Sequence, residues 1–204
     1  IGNLDDITIR SIQVLNRLDF LVVENRSKAK IILQKHEVQI EKILVYNDKS
    51  NQRDRNKIIN LLKCQLSGGI MSEAGTPLIS DPGYKLIKEL IRLNVPIVPL
   101  PGATSVITSL VASGLPTNSF KFVGFFPRIK KDAKSLCEDI KIFNGTTIMF
   151  ESPKRILQTL CLIDQEIGRS AEVCVAKEMT KIHENFFRGT PKELINLLSN
   201  NKNL

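Results

Sequence analysis

Between residues 72 and 83 the chain reads Ser72-Glu73-Ala74-Gly75-Thr76-Pro77-Leu78-Ile79-Ser80-Asp81-Pro82-Gly83. An apolar run leads in and a helical pattern leads out. In open α/β sheets the crevice at the carboxyl ends of strands is where ligands sit. Gly75 has no Cβ, so a ligand can lie against its backbone. Asp81 followed by Pro82 reads as a helix N-cap and a proline at the first helical position. The plainer reading of the whole stretch is a tight, well-capped strand-to-helix turn. Similar punctuation recurs at Pro99-Leu100-Pro101-Gly102-Ala103-Thr104-Ser105. There Gly102 permits close approach, and Thr104 or Ser105 can cap a helix or bind a polar group. Two such turns on neighbouring strands predict a concave floor of small residues. The phosphate patterns G-x-x-x-x-G-K-[ST] and G-x-G-x-x-G are missing, which argues against a triphosphate or an ordinary dinucleotide site.

Groups able to move protons lie at other strand ends. Phe150-Glu151-Ser152-Pro153-Lys154-Arg155 is a strand-to-helix turn in which Ser152 and Pro153 read as a cap and first helical residue. Glu151 is either a surface charge or a site carboxylate. Lys177-Glu178-Met179-Thr180-Lys181-Ile182-His183-Glu184 follows another strand, and His183 is a proton acceptor by type, or a surface or capping residue. Glu24, Glu151, Glu178, Lys181 and His183 are the candidate bases, unranked. With no second His or Cys near His183, no metal site is expected.

Cations cluster at Arg26-Ser27-Lys28-Ala29-Lys30, at Arg53-Asp54-Arg55-Asn56-Lys57 and at Arg128-Ile129-Lys130-Lys131-Asp132-Ala133-Lys134. Such runs are commonly solvated faces, but the third follows a strand end and can meet a phosphate backbone. The formal charge of +8 suits a polyanionic partner. Aromatic residues make up 5% of the chain, too few to predict a base-stacking platform.

These residues need a scaffold, and the hydropathy pattern supplies one. Expected strands are 20–23, 43–46, 69–72, 96–100, 121–125, 146–150, 172–176 and 185–188. Expected helices are 7–18, 28–34, 53–66, 83–93, 104–112, 132–142, 156–166 and 192–198. Ile58, Leu62 and Leu66 form an apolar stripe opposite Arg53, Arg55 and Lys57. Phe20-Leu21-Val22-Val23 is apolar on both faces, as in a parallel sheet covered by helices. The alternation argues an α/β fold. The turn-rich Gly114-Leu115-Pro116-Thr117-Asn118-Ser119 divides it into lobes 1–115 and 119–204. At 204 residues, roughly 70% of the unfolded surface can be buried, so no staples are needed. Cys64, Cys137, Cys161 and Cys174 are widely spaced in apolar stretches and read as small hydrophobes in a reducing compartment. No run is long enough to span a membrane. Ile1 at the start and polar Asn200 to Leu204 at the end predict a chain trimmed at both termini.

In order along the chain stand Ile1-Gly2-Asn3-Leu4-Asp5-Asp6-Ile7-Thr8-Ile9-Arg10, Glu73 to Tyr84, Pro99-Leu100-Pro101-Gly102, Ala112-Ser113-Gly114-Leu115-Pro116-Thr117, Gly124-Phe125-Phe126-Pro127, Glu151-Ser152-Pro153 and Arg188-Gly189-Thr190. This ordered set resembles the tetrapyrrole-methylase superfamily, in particular its branch that methylates small-subunit (16S) ribosomal RNA. The resemblance implies the two-lobed class III methyltransferase fold, S-adenosylmethionine in a cleft between the lobes, a homodimer and a cytoplasmic location. It implies 2′-O-methylation of a cytidine ribose in the decoding region, on ribosomal RNA or the ribosomal subunit, with no membrane partner. Cofactor residues implied are Gly2, Asn3, Ala74, Gly75, Thr76, Pro77, Pro101, Gly102, Thr104, Ser105, Glu151 and Ser152. RNA contacts implied are Arg26, Lys28, Lys30, Arg128, Lys130 and Lys131. Alternatives are a methylase of the same fold acting on a porphyrinoid or a protein, and a non-catalytic RNA-binding or assembly protein. The chain departs from the family's usual patterns at three places. Val23-Glu24-Asn25-Arg26-Ser27 stands for Ala-Glu-Asp-Thr-Arg, Glu73 for Asp, and Ala103-Thr104 for Pro-Ser. The family's strand ahead of Ile1 and its closing strands are missing.

Overall fold

Phe20, Leu21, Val22 and Val23 are all buried in the computed structural model, which describes residues 1–168 and 170–200. They form β1 (Phe20–Val23), the centre of a three-stranded parallel sheet with β2 (Lys42–Val45) and β3 (Gly68–Met71) in the order β2-β1-β3. A strand apolar on both faces needs a helical layer on each side. Phe20 and Val22 pack with Ile58 and Ile59 of α3 (Gln52–Lys63) and Leu86 and Leu90 of α4 (Tyr84–Arg92). Leu21 and Val23 pack with Leu15 of α1 (Ile9–Leu15) and with Ala29 and Leu33 of α2 (Arg26–Lys35). Each fully buried large side chain contributes roughly 1.5–3 kcal/mol, so this α/β/α sandwich carries its own core. Leu62 and Leu66 line the same core as Ile58, as the stripe predicts.

Side-chain caps set the starts of α1, α2 and α3. Thr8 caps α1 and Asn25 caps α2, while Asn51 with Asp54 forms a capping box on α3. Asn25 stands where the family pattern has an acid, and Asn and Asp serve equally well as caps.

The chain divides into two units, Ile1–Thr104 and the residues from Ser105 onward. The division falls before α5 (Ser105–Val111), whereas the sequence has its turn-rich break at 114–119. In the second unit β4 (Phe120–Phe125) pairs in parallel with β5 (Thr146–Phe150), and β6 (Val173–Lys177) pairs with β7 (Asn185–Gly189). The second pair is antiparallel, since residues 178–184 are too few for a crossover. Helices α6 (Lys130–Ile142), α7 (Ile156–Glu166) and α8 (Pro191–Ser199) cover these strands. Met149 and Val173 share one core cluster with Cys137 and Ile163.

Several expectations change in detail. Residues 96–100 form no strand, because Pro96 and Pro99 lack the N–H groups that a ladder needs. Asp81 is not a cap. Helix α4 starts at Tyr84 behind Gly83, whose φ of 134° turns the chain, and no side chain caps it. Ser152 and Pro153 lie ahead of α7, whose N-cap is Arg155. Here the Ser152 carbonyl accepts from the N–H groups of Arg155 and Ile156. All four cysteines are free thiols, but Cys64 and Cys161 are exposed rather than hidden. Cys64 is at the C-cap of α3, where the helix leaves the core. Among the described residues no helix is long and apolar enough to cross a membrane.

Candidate functional site

In the first unit the two small-residue turns meet. The Thr76 hydroxyl donates to the Ala103 carbonyl oxygen at 3.1 Å. A Cβ built on Gly75 would lie 3.9 Å from that same oxygen, and one built on Gly102 would meet nothing within 4 Å. The loops from Ala74 to Pro77 and from Pro101 to Thr104 therefore share one floor, open above Gly102. Ser72 helps to fold the first loop, its hydroxyl lying 3.3 Å from both the Ala74 and the Gly75 carbonyl oxygens.

That first loop is unusual in its backbone. Gly75 (φ 70°), Leu78 (72°), Ser80 (62°) and Gly83 (134°) all have positive φ. For Leu and Ser this conformation costs of order 1–3 kcal/mol, and such strain collects at ligand clamps and switches. The Gly/Pro content signalled a turn; the strain at Leu78 and Ser80 had no sequence signal.

Carboxylates gather at the same sheet end. β1 and β3 pair with Val23 opposite Met71, so Glu24 and Ser72 leave the sheet side by side. Burial, followed by the negative field of Asp81 and Glu73, raises the Glu24 carboxyl above its ordinary value, and Asp48 adds to this. Asp81 is also raised, by burial first and by Glu73 and Asp48, against a hydrogen bond with Ser72 that lowers it. Glu24 Oε1 is buried and has no hydrogen-bond partner. Among the described residues no group of three or more His, Cys, Asp and Glu is placed to hold a metal ion. The sequence did not join Asp48, Glu73 and Asp81 to Glu24, because what brings them together is strand order.

Gly2 and Asn3 are exposed, and the Asn3 side chain caps the 3₁₀ turn Leu4–Asp6. Arg26 opens α2 with its guanidinium donating to the Ile43 carbonyl at 2.6 Å. Lys28 and Lys30 are exposed along that helix.

In the second unit Ser105, Glu151 and Glu178 line one open hollow of about 890 Å³, beside β5 and β6. Glu151 is fully engaged. Its Oε1 accepts from the Ser152 N–H at 2.6 Å and faces Arg155 Nη1 at 3.3 Å, and its Oε2 accepts from the Thr159 hydroxyl at 2.6 Å. Arg155 also donates to the Phe126 and Pro127 carbonyls, so this network ties the exits of β4 and β5 together. Glu178 and Lys181 form a half-exposed ion pair at 3.2 Å, and His183 is exposed. Arg128, Lys130 and Lys131 are exposed at the start of α6.

Comparison with known proteins bears on the family and the fold. The family model of the tetrapyrrole (corrin/porphyrin) methylases matches residues 1–195. The ribosomal RNA small subunit methyltransferase I of Hydrogenobaculum sp. (strain Y04AAS1) is 40% identical over 100% of this chain and 88% of that protein. The protein of the same name from Rickettsia prowazekii (strain Madrid E) is 40% identical over 98% of this chain and 71% of its own length. Among solved structures, a cobalt precorrin-4 methyltransferase superposes with a TM-score of 0.70 at 16% identity, covering 97% of this chain and 85% of its own. A uroporphyrin-III C-methyltransferase from Thermus thermophilus, complexed with S-adenosyl homocysteine, gives 0.61 at 15% identity over 97% and 87%. At those identities the structural likeness concerns the fold.

Proposed function

The chain belongs to the tetrapyrrole (corrin/porphyrin) methylase family, in the branch of the ribosomal RNA small subunit methyltransferase I proteins, and from that premise we propose that it methylates the 2′-hydroxyl of a cytidine ribose in the decoding region of small-subunit ribosomal RNA. Its cofactor is S-adenosylmethionine, which supplies a methyl group activated by a sulfonium. The observation that carries the reading is the common floor of the Gly75 and Gly102 turns, joined through Thr76 and Ala103. The missing Cβ atoms at Gly75 and Gly102 suit a ligand that must lie close to main chain.

Ala74, Gly75, Thr76, Pro77, Pro101, Gly102 and Thr104 would hold the cofactor from the first unit, with Gly2 and Asn3 from the start of the chain. What these residues contribute is position. Fixing two reactants in line is worth roughly 7–11 kcal/mol of barrier. The engaged Glu151 acts as a brace, not as a proton acceptor.

The RNA reading draws on where the cations are placed. Arg26 and Lys28 start α2, and Lys130 and Lys131 start α6. The positive end of a helix dipole disfavours cations there, and α2 has no acid in its first turn to offset them. Cations kept at that unfavourable end fit a phosphate partner, which both the side chains and the helix terminus attract. We further propose that the chain acts as a homodimer in the cytoplasm, on ribosomal RNA or the ribosomal subunit.

The test is methylation of small-subunit RNA or assembled subunits by the purified chain, with modified nucleosides read by mass spectrometry. A 2′-O-methylcytidine at a decoding-region position supports the proposal. Methylation of a porphyrinoid in place of RNA overturns it, and no binding of S-adenosylmethionine by calorimetry favours a non-catalytic RNA-binding protein. Light scattering on the same sample reads the oligomeric state.

A further inference from the structure

Glu24 is distinct among the five candidate bases. It follows β1 directly, and the β1–β3 register sets it beside the loop that begins at Ser72. The Glu73 main chain stands near the Glu24 carboxylate, next to the turn that forms the cofactor floor, while Oε1 is buried without a partner. A buried acceptor left without a donor is destabilising, so its retention needs a reason. Asp81 and Glu73 face it from the β3–α4 loop and Asp48 from the β2–α3 loop, and no cation is among the charges that act on it. The other candidates are already engaged or lie at the surface. Glu151 has Ser152, Arg155 and Thr159 as partners, Glu178 and Lys181 hold each other, and His183 is exposed.

We propose that Glu24 is the catalytic proton acceptor for the substrate hydroxyl, its carboxylate receiving the O–H of the ribose beside the Ser72–Thr76 turn. The inference rests on the methyltransferase reading above. As the hydroxyl oxygen forms its bond to the methyl carbon, the carbon–sulfur bond breaks and its electron pair stays on sulfur as a neutral thioether. The hydroxyl proton passes to the Glu24 carboxylate and from there to water. The acids around Glu24 make it a better base than an ordinary carboxylate, since proton affinity rises with burial and like charge.

The test compares the wild-type chain with Glu24→Gln, which keeps shape and removes the base. Single-turnover methylation of small-subunit RNA is followed across pH, with S-adenosylmethionine binding measured by calorimetry. The expected result is a rate loss of about 10²–10⁴-fold, a pH-dependent limb present in the wild type and missing in the variant, and cofactor affinity unchanged within about threefold. A variant that methylates within threefold of wild type overturns the proposal. A second readout needs no turnover: ¹³C-carboxylate glutamate spectra are titrated, and the resonance lost in Glu24→Gln is assigned to Glu24. Titration above the ordinary glutamate range supports the proposal, and titration within that range overturns it. If the wild-type chain yields no methylated RNA at all, the functional reading fails first and the inference falls with it.

Discussion

Thr76 and Ala103 lie 27 residues apart, yet the hydroxyl of one donates to the carbonyl of the other at 3.1 Å. This bond makes two separate turns into one surface, and it can be removed with a single substitution. Thr76→Val keeps the volume and deletes the donor. A hydrogen bond of this kind is worth about 0.5–1.5 kcal/mol net, and because Thr76 is exposed the urea-unfolding free energy should fall by no more than about 1 kcal/mol. Cofactor affinity by calorimetry should drop more than stability does. Equal Kd values for both proteins would show that the joint floor is not used.

Gly75 and Gly102 separate backbone strain from ligand contact. At Gly75, with φ at 70°, Ala pays the left-handed penalty of roughly 1–2 kcal/mol, so Gly75→Ala should lower both Tm and cofactor affinity. A side chain on Gly102 meets nothing within 4 Å. Gly102→Val should therefore leave Tm within about a degree of wild type, a shift well under the several degrees per kcal/mol of a small domain, and weaken S-adenosylmethionine binding at least tenfold. Unchanged binding would take Gly102 out of the site.

Gly68 answers to packing alone. A Cβ there would run into the Phe20 ring, and Phe20 is 1% exposed in the centre of the first core. Gly68→Ala should destabilise by about 1–3 kcal/mol, the usual cost of overpacking, read from urea midpoints at constant m. Its cofactor affinity, measured well below the unfolding midpoint, should be close to wild type.

The raised Glu24 carboxyl predicts the sign of a pH effect. A carboxyl whose folded value lies above its unfolded one binds protons more tightly when folded. Stability is then lost as pH rises from the unfolded value of about 4.3 through the folded value, and the penalty is complete above it. Glu24→Gln should thus be more stable than wild type at neutral pH, with the difference closing as pH falls below about 4. Thermal melts at several pH values check this. A variant less stable than wild type at pH 7 would mean that the carboxylate is favourably held.

The cations at the starts of α2 and α6 should set the salt dependence of RNA binding. Affinity falls with log salt at a slope of about one per phosphate contacted. Each of Arg26→Gln, Lys28→Gln, Lys130→Gln and Lys131→Gln should reduce that slope by about one where a phosphate is met. Filter binding over a range of potassium chloride measures it, and a slope that none of the four changes would place the RNA elsewhere.

Much of the scaffold could be read directly. β1, β5 and α7 have the bounds that hydropathy alone assigns them, and the Ile58-Leu62-Leu66 stripe packs as its spacing demands. These features rest on periods of two and 3.6 residues, which any stretch of chain displays by itself. The failures were local as well. Pro96–Leu100 has strand-like residues and no ladder, while Asp81-Pro82 has the chemistry of a cap and yet the helix waits for Gly83.

Sequence by itself determined the α/β class, the two small-residue turns, the cationic helix starts and, through the ordered motifs, the family. The tertiary structure decided which acidic groups are free to act. Glu24 and Glu151 look alike in sequence, each an acid at a strand exit. One is saturated by Ser152, Arg155 and Thr159, and the other is left with a buried, unpartnered oxygen among Asp48, Glu73 and Asp81. Proton affinity depends on burial and on neighbouring charge, and both are set by strand order and register across tens of residues, beyond the reach of any local pattern.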